Sequence, residues 1–227
     1  MRSGKIKSRL IRIPILILFI SLALVMLIPI VWILFGAFKP DNEIISYPPT
    51  FFPHEFSLKN FTKCMQRIDI IQYIKNSIIF SFGTTIPSLL VNSLAGYAFA
   101  RYEFKGKNII FVIFLATMMI PFQVIMIPEF IEIHLLGMYD NYWGLIVPKI
   151  ASAYWIFMMR SAFAGLPREL EEAARIDGLN EFGIYSRIML PLIKPALVTM
   201  IILSINGNWN DLLWPLIMTI STKMRTL

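Results

Sequence analysis

Long apolar stretches alternate along the chain with short polar segments that carry most of the charged residues. A bilayer core about 30 Å thick is crossed by roughly 20 apolar residues of α-helix. Five stretches reach that length, and they predict five transmembrane helices. Their ranges are 13–36, 72–99, 108–131, 142–163 and 196–220. The predicted fold class is an all-α membrane protein, a polytopic helical bundle.

Composition supports a bilayer location, because 57% of the 227 residues are hydrophobic and only 15% are charged. The first apolar stretch follows a basic tail, residues 1–12, as in a secretory signal peptide. Its apolar run is too long for one, and no small-residue cleavage site follows, so we expect a retained helix at 13–36. The single cysteine, Cys64, excludes an intramolecular disulfide. We expect neither a metal nor a cofactor, since the sequence has no Cys/His cluster.

The net charge of +7 would suit a nucleic-acid surface, but the cations lie between apolar stretches rather than on one soluble face. We therefore expect no nucleic-acid partner. The basic tail and the segment 160–195 should be cytoplasmic, because positive charge favours that side of the membrane. The turn 132–141 has no Lys or Arg and should be external. The same alternation makes residues 37–71 an ordered external loop.

The segment 164–195 is longer than a turn between two helices requires, and it has its own helical pattern. Pro167 suits a helix start, the acidic residues that follow complement the helix dipole, and Gly178 is a natural stop. We predict a short helix at about 168–177. Asn180 can cap a second short helix that runs through Arg187.

The face of this first short helix carries small residues beside charged ones. Leu170, Ala173, Ala174 and Asp177 follow helical spacing, so Ala173 and Ala174 predict a strip that a partner can approach closely. Glu171 and Arg175 stand at i, i+4, and we expect them to pair on the solvent side.

The spacing of these residues matches a known pattern. Glu172-Ala173-Ala174, then Gly178, then Ile188-Met189-Leu190-Pro191 after nine more residues, resembles the cytoplasmic EAA loop of ABC importer permeases. The resemblance implies that the loop docks in a cleft of an ATP-hydrolysing subunit and passes its closure to the transmembrane helices. The residues implied in this coupling are Glu172, Ala173, Ala174, Gly178, Ile188, Leu190 and Pro191.

The likeness extends over most of the chain, which resembles the second permease subunit of maltose-type and oligosaccharide importers. It is carried by Phe38-Lys39-Pro40 with Glu43, Asn92 to Arg101, Met119-Ile120-Pro121 with Gln123 and Pro128, and Trp209-Asn210-Asp211 with Leu213-Trp214-Pro215. It implies a MetI-like fold in a bacterial cytoplasmic membrane. The implied partners are a second permease subunit, ABC ATPase subunits, an extracytoplasmic solute-binding protein and membrane lipid.

Residues 72–220 would then form the permease core. Members of this family have a sixth helix, and we expect residues 221–227 to be a truncated end that lacks it. ATP must be hydrolysed by another chain, because the sequence has no Gly-x-x-x-x-Gly-Lys-Ser/Thr loop. We therefore expect a subunit that is not itself an enzyme.

A polar patch interrupts the fifth apolar stretch. A break of this kind near mid-membrane marks a transport path, and we take Asn206, Trp209, Asn210 and Asp211 as candidate path residues. The alternative is that their amides bond helices together. Lys149 needs a partner within the membrane, and Glu129 or Glu132 is the pairing that we expect.

Other functions stay open on the residues alone. A secondary transporter would need an ion site and commonly shows two related halves, and neither half of this chain repeats the other. A membrane enzyme would need clustered acid, base or metal ligands. Permeases for amino acids, phosphate, polyamines or peptides share the EAA loop, and only the wider likeness favours a sugar.

Overall fold

The computed structural model describes the backbone of residues 2–227 and the side chains of residues 12–227. Within that part of the chain the fold is all-α, without a strand. It forms two compact units, Met1–Ile70 and Ile71–Leu227. Apart from Arg12, the side chains of the predicted basic tail lie outside the described residues. The helices are α1 (Arg2–Ala37), α2 (Asp41–Ile44), α3 (Lys59–Arg67), α4 (Ile70–Arg101), α5 (Lys107–Thr117), α6 (Phe122–Leu135), α7 (Tyr142–Ile146), α8 (Ala153–Ala164), α9 (Glu169–Ile176), α10 (Glu181–Gly183), α11 (Leu190–Leu192), α12 (Lys194–Trp209) and α13 (Leu213–Met218).

Helix α1 dominates the first unit. Its apolar side chains are exposed on all sides between residues 12 and 30. A helix that is hydrophobic all round is stable in lipid or against other apolar helices, and not in water. Its length of 36 residues is ample for a membrane span.

The segment after α1 is ordered by a small polar network. The Glu43 carboxylate accepts hydrogen bonds from the Thr50 hydroxyl at 2.7 Å and from the His54 amide at 3.0 Å. The hydrogen bond from Thr50 lowers the pKa of Glu43 below its usual value. The Asn60 amide donates to the carbonyls of Ala37 and Lys39 at 3.2 and 2.8 Å. These bonds tie the loop back to the end of α1, as expected for an ordered connection.

The second unit is built around α4. One face of this helix is buried and carries many small polar residues, among them Ser81, Thr84, Asn92 and Ser93. A Cβ added to Gly96 would lie 2.5 Å from the Met159 Cβ, so glycine is required where α4 meets α8. Small residues of this kind let membrane helices approach closely.

The last three predicted spans are interrupted, whereas the sequence predicts an interruption only in the fifth. Helices α5 and α6 meet at 101°. The stretch 142–163 divides into α7, a 3-10 turn at Val147–Lys149, and α8. The fifth divides between α12 and α13. By length and composition, two described helices can cross a membrane, or up to four if each bent pair is one span.

Proline explains part of these interruptions. Pro121 precedes the first turn of α6 and Pro148 lies in the 3-10 turn. Proline has no amide hydrogen to donate, and it disfavours helical backbone in the residue before it. The third break, between α12 and α13, contains no proline. There the backbone amide of Trp214 donates to the Asp211 carboxylate at 3.2 Å.

Candidate functional site

Helix α9 begins two residues after Pro167 and ends at a glycine turn. Gly178 has φ +84°, in the left-handed region that glycine adopts without strain. Its amide donates to the Arg175 carbonyl, and the Leu179 amide donates to the Ala174 carbonyl, both at 3.0 Å. These two bonds form a Schellman motif. The start and stop of the predicted helix at about 168–177 are therefore confirmed.

The second short helix starts where the sequence predicts. The Asn180 side chain accepts a hydrogen bond from the Gly183 amide at 2.7 Å and caps α10. From Ile184 to Met189 the chain then widens into a π-helix, and it does not continue as the expected α-helix through Arg187. Ile184, Tyr185 and Met189 are all buried within this wider turn.

Of the two alanines of α9, only Ala173 is exposed, so the predicted Ala173–Ala174 strip is wrong. Ala174 is 4% exposed and packs in a core cluster with Tyr97 and Phe163, because α9 lies against α4 and α8. Ala173 and its neighbour Glu172 are exposed. Ile176, 87% exposed, extends this outer face of the loop.

A buried ion pair connects the loop to α4. The Arg101 Nε lies 3.3 Å from the Glu171 Oε1, and the two side chains are 5% and 6% exposed. Arg101 also donates to the Leu166 carbonyl at 2.8 Å. The expected pair between Glu171 and Arg175 is therefore wrong. Glu171 turns inward to the end of α4, where a cation is available in a site shielded from water.

Arg175 pairs across the glycine turn instead. Its guanidinium donates to both carboxylate oxygens of Glu181, at 2.9 and 3.3 Å. This bond lowers the pKa of Glu181, and the carboxylate also accepts a bond from the Tyr102 hydroxyl at 2.8 Å. Burial, together with this bond to Glu181, raises the pKa of Tyr102 to about 12. The phenol therefore stays protonated as a donor.

The return of the loop to the bilayer is also fixed to α4. The hydroxyls of Ser93 and Tyr185 lie 2.7 Å apart, and both residues are buried. Ile188 and Leu190 are half-buried against the same core cluster, whereas Pro191 is exposed. Together these contacts pack the loop against the end of α4.

The candidate path residues do not share one surface. Asn206, Trp209 and Asn210 are exposed near the end of α12, where the Asn210 amide donates to the Asn206 carbonyl at 2.8 Å. Asp211 is half-buried and turns inward.

Asp211 is also the partner of Lys149, at 2.5 Å, so the expected pairing with Glu129 or Glu132 is wrong. The pair joins the break at 147–149 to the break after α12. The Lys149 Nζ also lies 5.7 Å from the centre of the Phe122 ring and 5.8 Å from the centre of the Trp214 ring.

Comparison with known proteins identifies the family. Residues 92–226 match the model of the binding-protein-dependent transport system inner membrane component. The chain is 41% identical to the arabinooligosaccharides transport system permease protein AraQ of Bacillus subtilis, over 95% of this chain and 78% of that one. It is 32% identical to the lactose transport system permease protein LacG of Rhizobium radiobacter, over 90% and 74%.

A solved structure shares the fold. The crystal structure of a bacterial ABC transporter involved in the import of the acidic polysaccharide alginate contains a chain that matches with a TM-score of 0.84. The identity is 25%, over 96% of this chain and 77% of that one. The chain therefore belongs to the binding-protein-dependent transport system inner membrane components and is a permease subunit of an ABC importer.

Proposed function

We propose that this permease imports a sugar or oligosaccharide, driven by ATP hydrolysis in a separate subunit. The relatives named for arabinooligosaccharides and lactose support the substrate class. The observation that carries the coupling role is the loop itself, a short capped helix whose outer face is exposed and whose inner face is tied into the core by a buried ion pair.

The outer face of α9 is the surface that an ATPase cleft would receive. Glu172 and Ala173 are exposed there, and the small side chain of Ala173 permits close approach. The Gly178 turn fixes the angle at which α9 meets the next helix. Ile188, Leu190 and Pro191 then carry any displacement of the loop toward α12.

Two routes lead from the loop into the membrane helices. One runs through the Glu171–Arg101 pair into α4, and the other runs through the π-helix and α11 into α12. Buried packed elements move as units rather than deform continuously. Closure of the ATPase subunits would in this way tilt α4 and α12 together and open the path to the other side.

The subunit works within a larger assembly. We propose a second permease subunit beside it, ABC ATPase subunits at the loop 164–195, and a solute-binding protein on the outer side. In this arrangement the amino terminus and the loop are cytoplasmic, while residues 37–71 and 132–141 are external.

The path itself involves the polar end of α12. Asn206, Trp209 and Asn210 expose amides and an indole ring within an otherwise apolar helix, and Asp211 lies beside them. Polar groups at this depth face protein or water rather than lipid. We place the translocation path along this face.

Reconstitution tests the proposal. The complete importer in proteoliposomes, with its binding protein outside and ATP inside, should accumulate radiolabelled arabinotriose or lactose. A variant ATPase subunit that cannot hydrolyse ATP is the control and should abolish accumulation. Uptake of an amino acid, phosphate or polyamine with neither sugar transported would overturn the sugar assignment and leave the permease role intact.

A further inference from the structure

A cavity of about 470 Å³ opens beside the Lys149–Asp211 pair in the second unit. Binding sites for small molecules span roughly 300–1,000 Å³. Helices α4, α6, α8, α12 and α13 all contribute to its wall. The lining residues that matter here are Thr84, Glu129, Lys149, Trp155, Asn208 and Trp214.

The wall contains a buried hydroxyl that lacks a partner. Thr84 is 2% exposed, and its Oγ1 has no hydrogen bond to any atom of residues 12–227. An unsatisfied buried polar group is costly, and in native proteins it commonly marks a place that water or a ligand fills. Nearby, the Asn208 amide donates only at 3.5 Å, to Ser204, so it is free to bond more strongly elsewhere.

Aromatic rings form the apolar part of the wall. Trp214 is fully buried behind the wall, and its indole nitrogen already donates to the Leu145 carbonyl at 3.2 Å, so it supports the wall and presents no open surface to a ligand. Trp155 is half-buried on α8. Aromatic surface beside a few unpaired hydroxyl and amide groups suits a ligand with an apolar ring face and hydroxyls at its edge.

The charges decide which ligand fits. Lys149 is neutralised by Asp211 at 2.5 Å, whereas Glu129 has no ion pair within 4.0 Å in the described part of the chain. Two carboxylates against one ammonium leave a formal excess of negative charge. This excess charge would repel an anionic ligand.

Resting on the sugar-import function above, we propose that this cavity is a subsite for one ring of a neutral sugar, held by Thr84 and Asn208 and closed to uronic acids by Glu129. Thr84 and Asn208 would bond to ring hydroxyls, and Trp155 would cover one face of the ring. Lys149 and Asp211 would hold the two helix breaks that shape the wall.

The test is protection of an engineered cysteine in the complete importer. With Cys64→Ser removing the native thiol, Asn208→Cys should react with a small hydrophilic methanethiosulfonate reagent. The neutral sugar that the importer takes up, arabinotriose or lactose, should slow labelling at least threefold in one nucleotide state. Trigalacturonate should not. Equal labelling with and without the neutral sugar in every nucleotide state overturns the subsite.

Two further variants make the result specific. In the Asn208→Cys background, Thr84→Val should raise the sugar concentration that half-protects the cysteine by roughly threefold to tenfold. The same change at the exposed Thr199 should not, and equal effects at both positions contradict the proposal. Glu129→Gln should allow trigalacturonate to protect, and continued exclusion contradicts the role of Glu129. Absence of sugar uptake by the unmodified importer would instead refute the proposed function.

Discussion

Arg101, the last residue of α4, and Glu171, in the first turn of α9, form an ion pair that is almost fully removed from solvent. No hydrogen bond of good geometry joins the Arg101 Nε and the Glu171 Oε1 within the described residues, so the pair rests on charge attraction and on the bond from Arg101 to Leu166. Its position joins the loop 164–195 to the end of α4.

Arg101→Ala should destabilise the subunit strongly, because it leaves the Glu171 carboxylate buried without a cation. Removing one partner of a buried pair costs about 3–5 kcal/mol. Thermal unfolding of the purified complex measures this loss. The double variant Arg101→Met with Glu171→Met should regain most of the stability, since two apolar residues leave no charge buried.

The exposed ion pair between Arg175 and Glu181 provides the control for Arg101→Ala. Arg175→Ala breaks a bond to Glu181 in which both side chains are about half exposed, so solvent screens the loss. Its effect on the unfolding temperature should be much smaller. Equal destabilisation by Arg101→Ala and Arg175→Ala would contradict the distinction between the two pairs.

Gly178→Ala should impair coupling through the backbone alone. A Cβ at Gly178 would meet no heavy atom within 4 Å, but φ is +84°, where an L-residue costs about 1–2 kcal/mol. In the reconstituted importer, the rate of sugar uptake should fall more than the rate of ATP hydrolysis, so fewer sugar molecules enter for each ATP hydrolysed. Gly165→Ala is the matched control, because Gly165 ends α8 at φ −76° and has room for a Cβ.

Ala173→Cys should crosslink to an ATPase subunit, and Ala174→Cys should not. The two residues are adjacent, but Ala173 is exposed and Ala174 is 4% exposed in the core cluster. A short bifunctional thiol reagent with single cysteines in the ATPase cleft, in a Cys64→Ser background, measures this directly. Crosslinking of both positions alike would show that α9 does not sit as described.

Local chemistry made the loop predictable. The Asn180 cap and the positive φ at Gly178 depend on residues within a few positions of each other, so a single sequence contains the information needed to predict them. The partners of Glu171 and Lys149 depend on contacts between elements far apart in sequence. The i, i+4 spacing predicts that Glu171 pairs with Arg175. In the structure Glu171 is buried against α4 and pairs with Arg101, which is better shielded from water.

The breaks in the predicted spans show a second limit. Pro121 and Pro148 stand at interruptions, yet Pro87 and Pro128 lie inside α4 and α6 without ending them. The bend depends on whether neighbouring groups satisfy the freed carbonyls, and a single sequence does not contain that information. Apolar length therefore does not predict whether a stretch forms one straight helix.

Asn206→Cys and Asn210→Cys should react with small hydrophilic thiol reagents in the assembled importer, if the exposed end of α12 lines a water-filled path. Met200→Cys is the control, because Met200 lies on the same helix and is fully buried in the core cluster. Residues that instead bond α12 to a partner helix would be shielded. Lack of labelling at Asn206 and Asn210 in every nucleotide state would favour that alternative.

Lys149→Met should reduce both assembly and uptake, because it leaves Asp211 without its cation beside the break in the fifth apolar stretch. An uncompensated charge within the membrane costs at most about 2.5–3.5 kcal/mol on insertion scales, the value for a helix centre. Asp211→Asn should be as harmful, since it leaves Lys149 without its carboxylate partner beside the Phe122 and Trp214 rings.

The exchange Lys149→Asp with Asp211→Lys restores opposite charges at the same two positions and should recover part of the assembled complex, measured by size-exclusion chromatography. Recovery no better than that of either single variant would show that the two residues act separately and that their contact does not hold the helix breaks together.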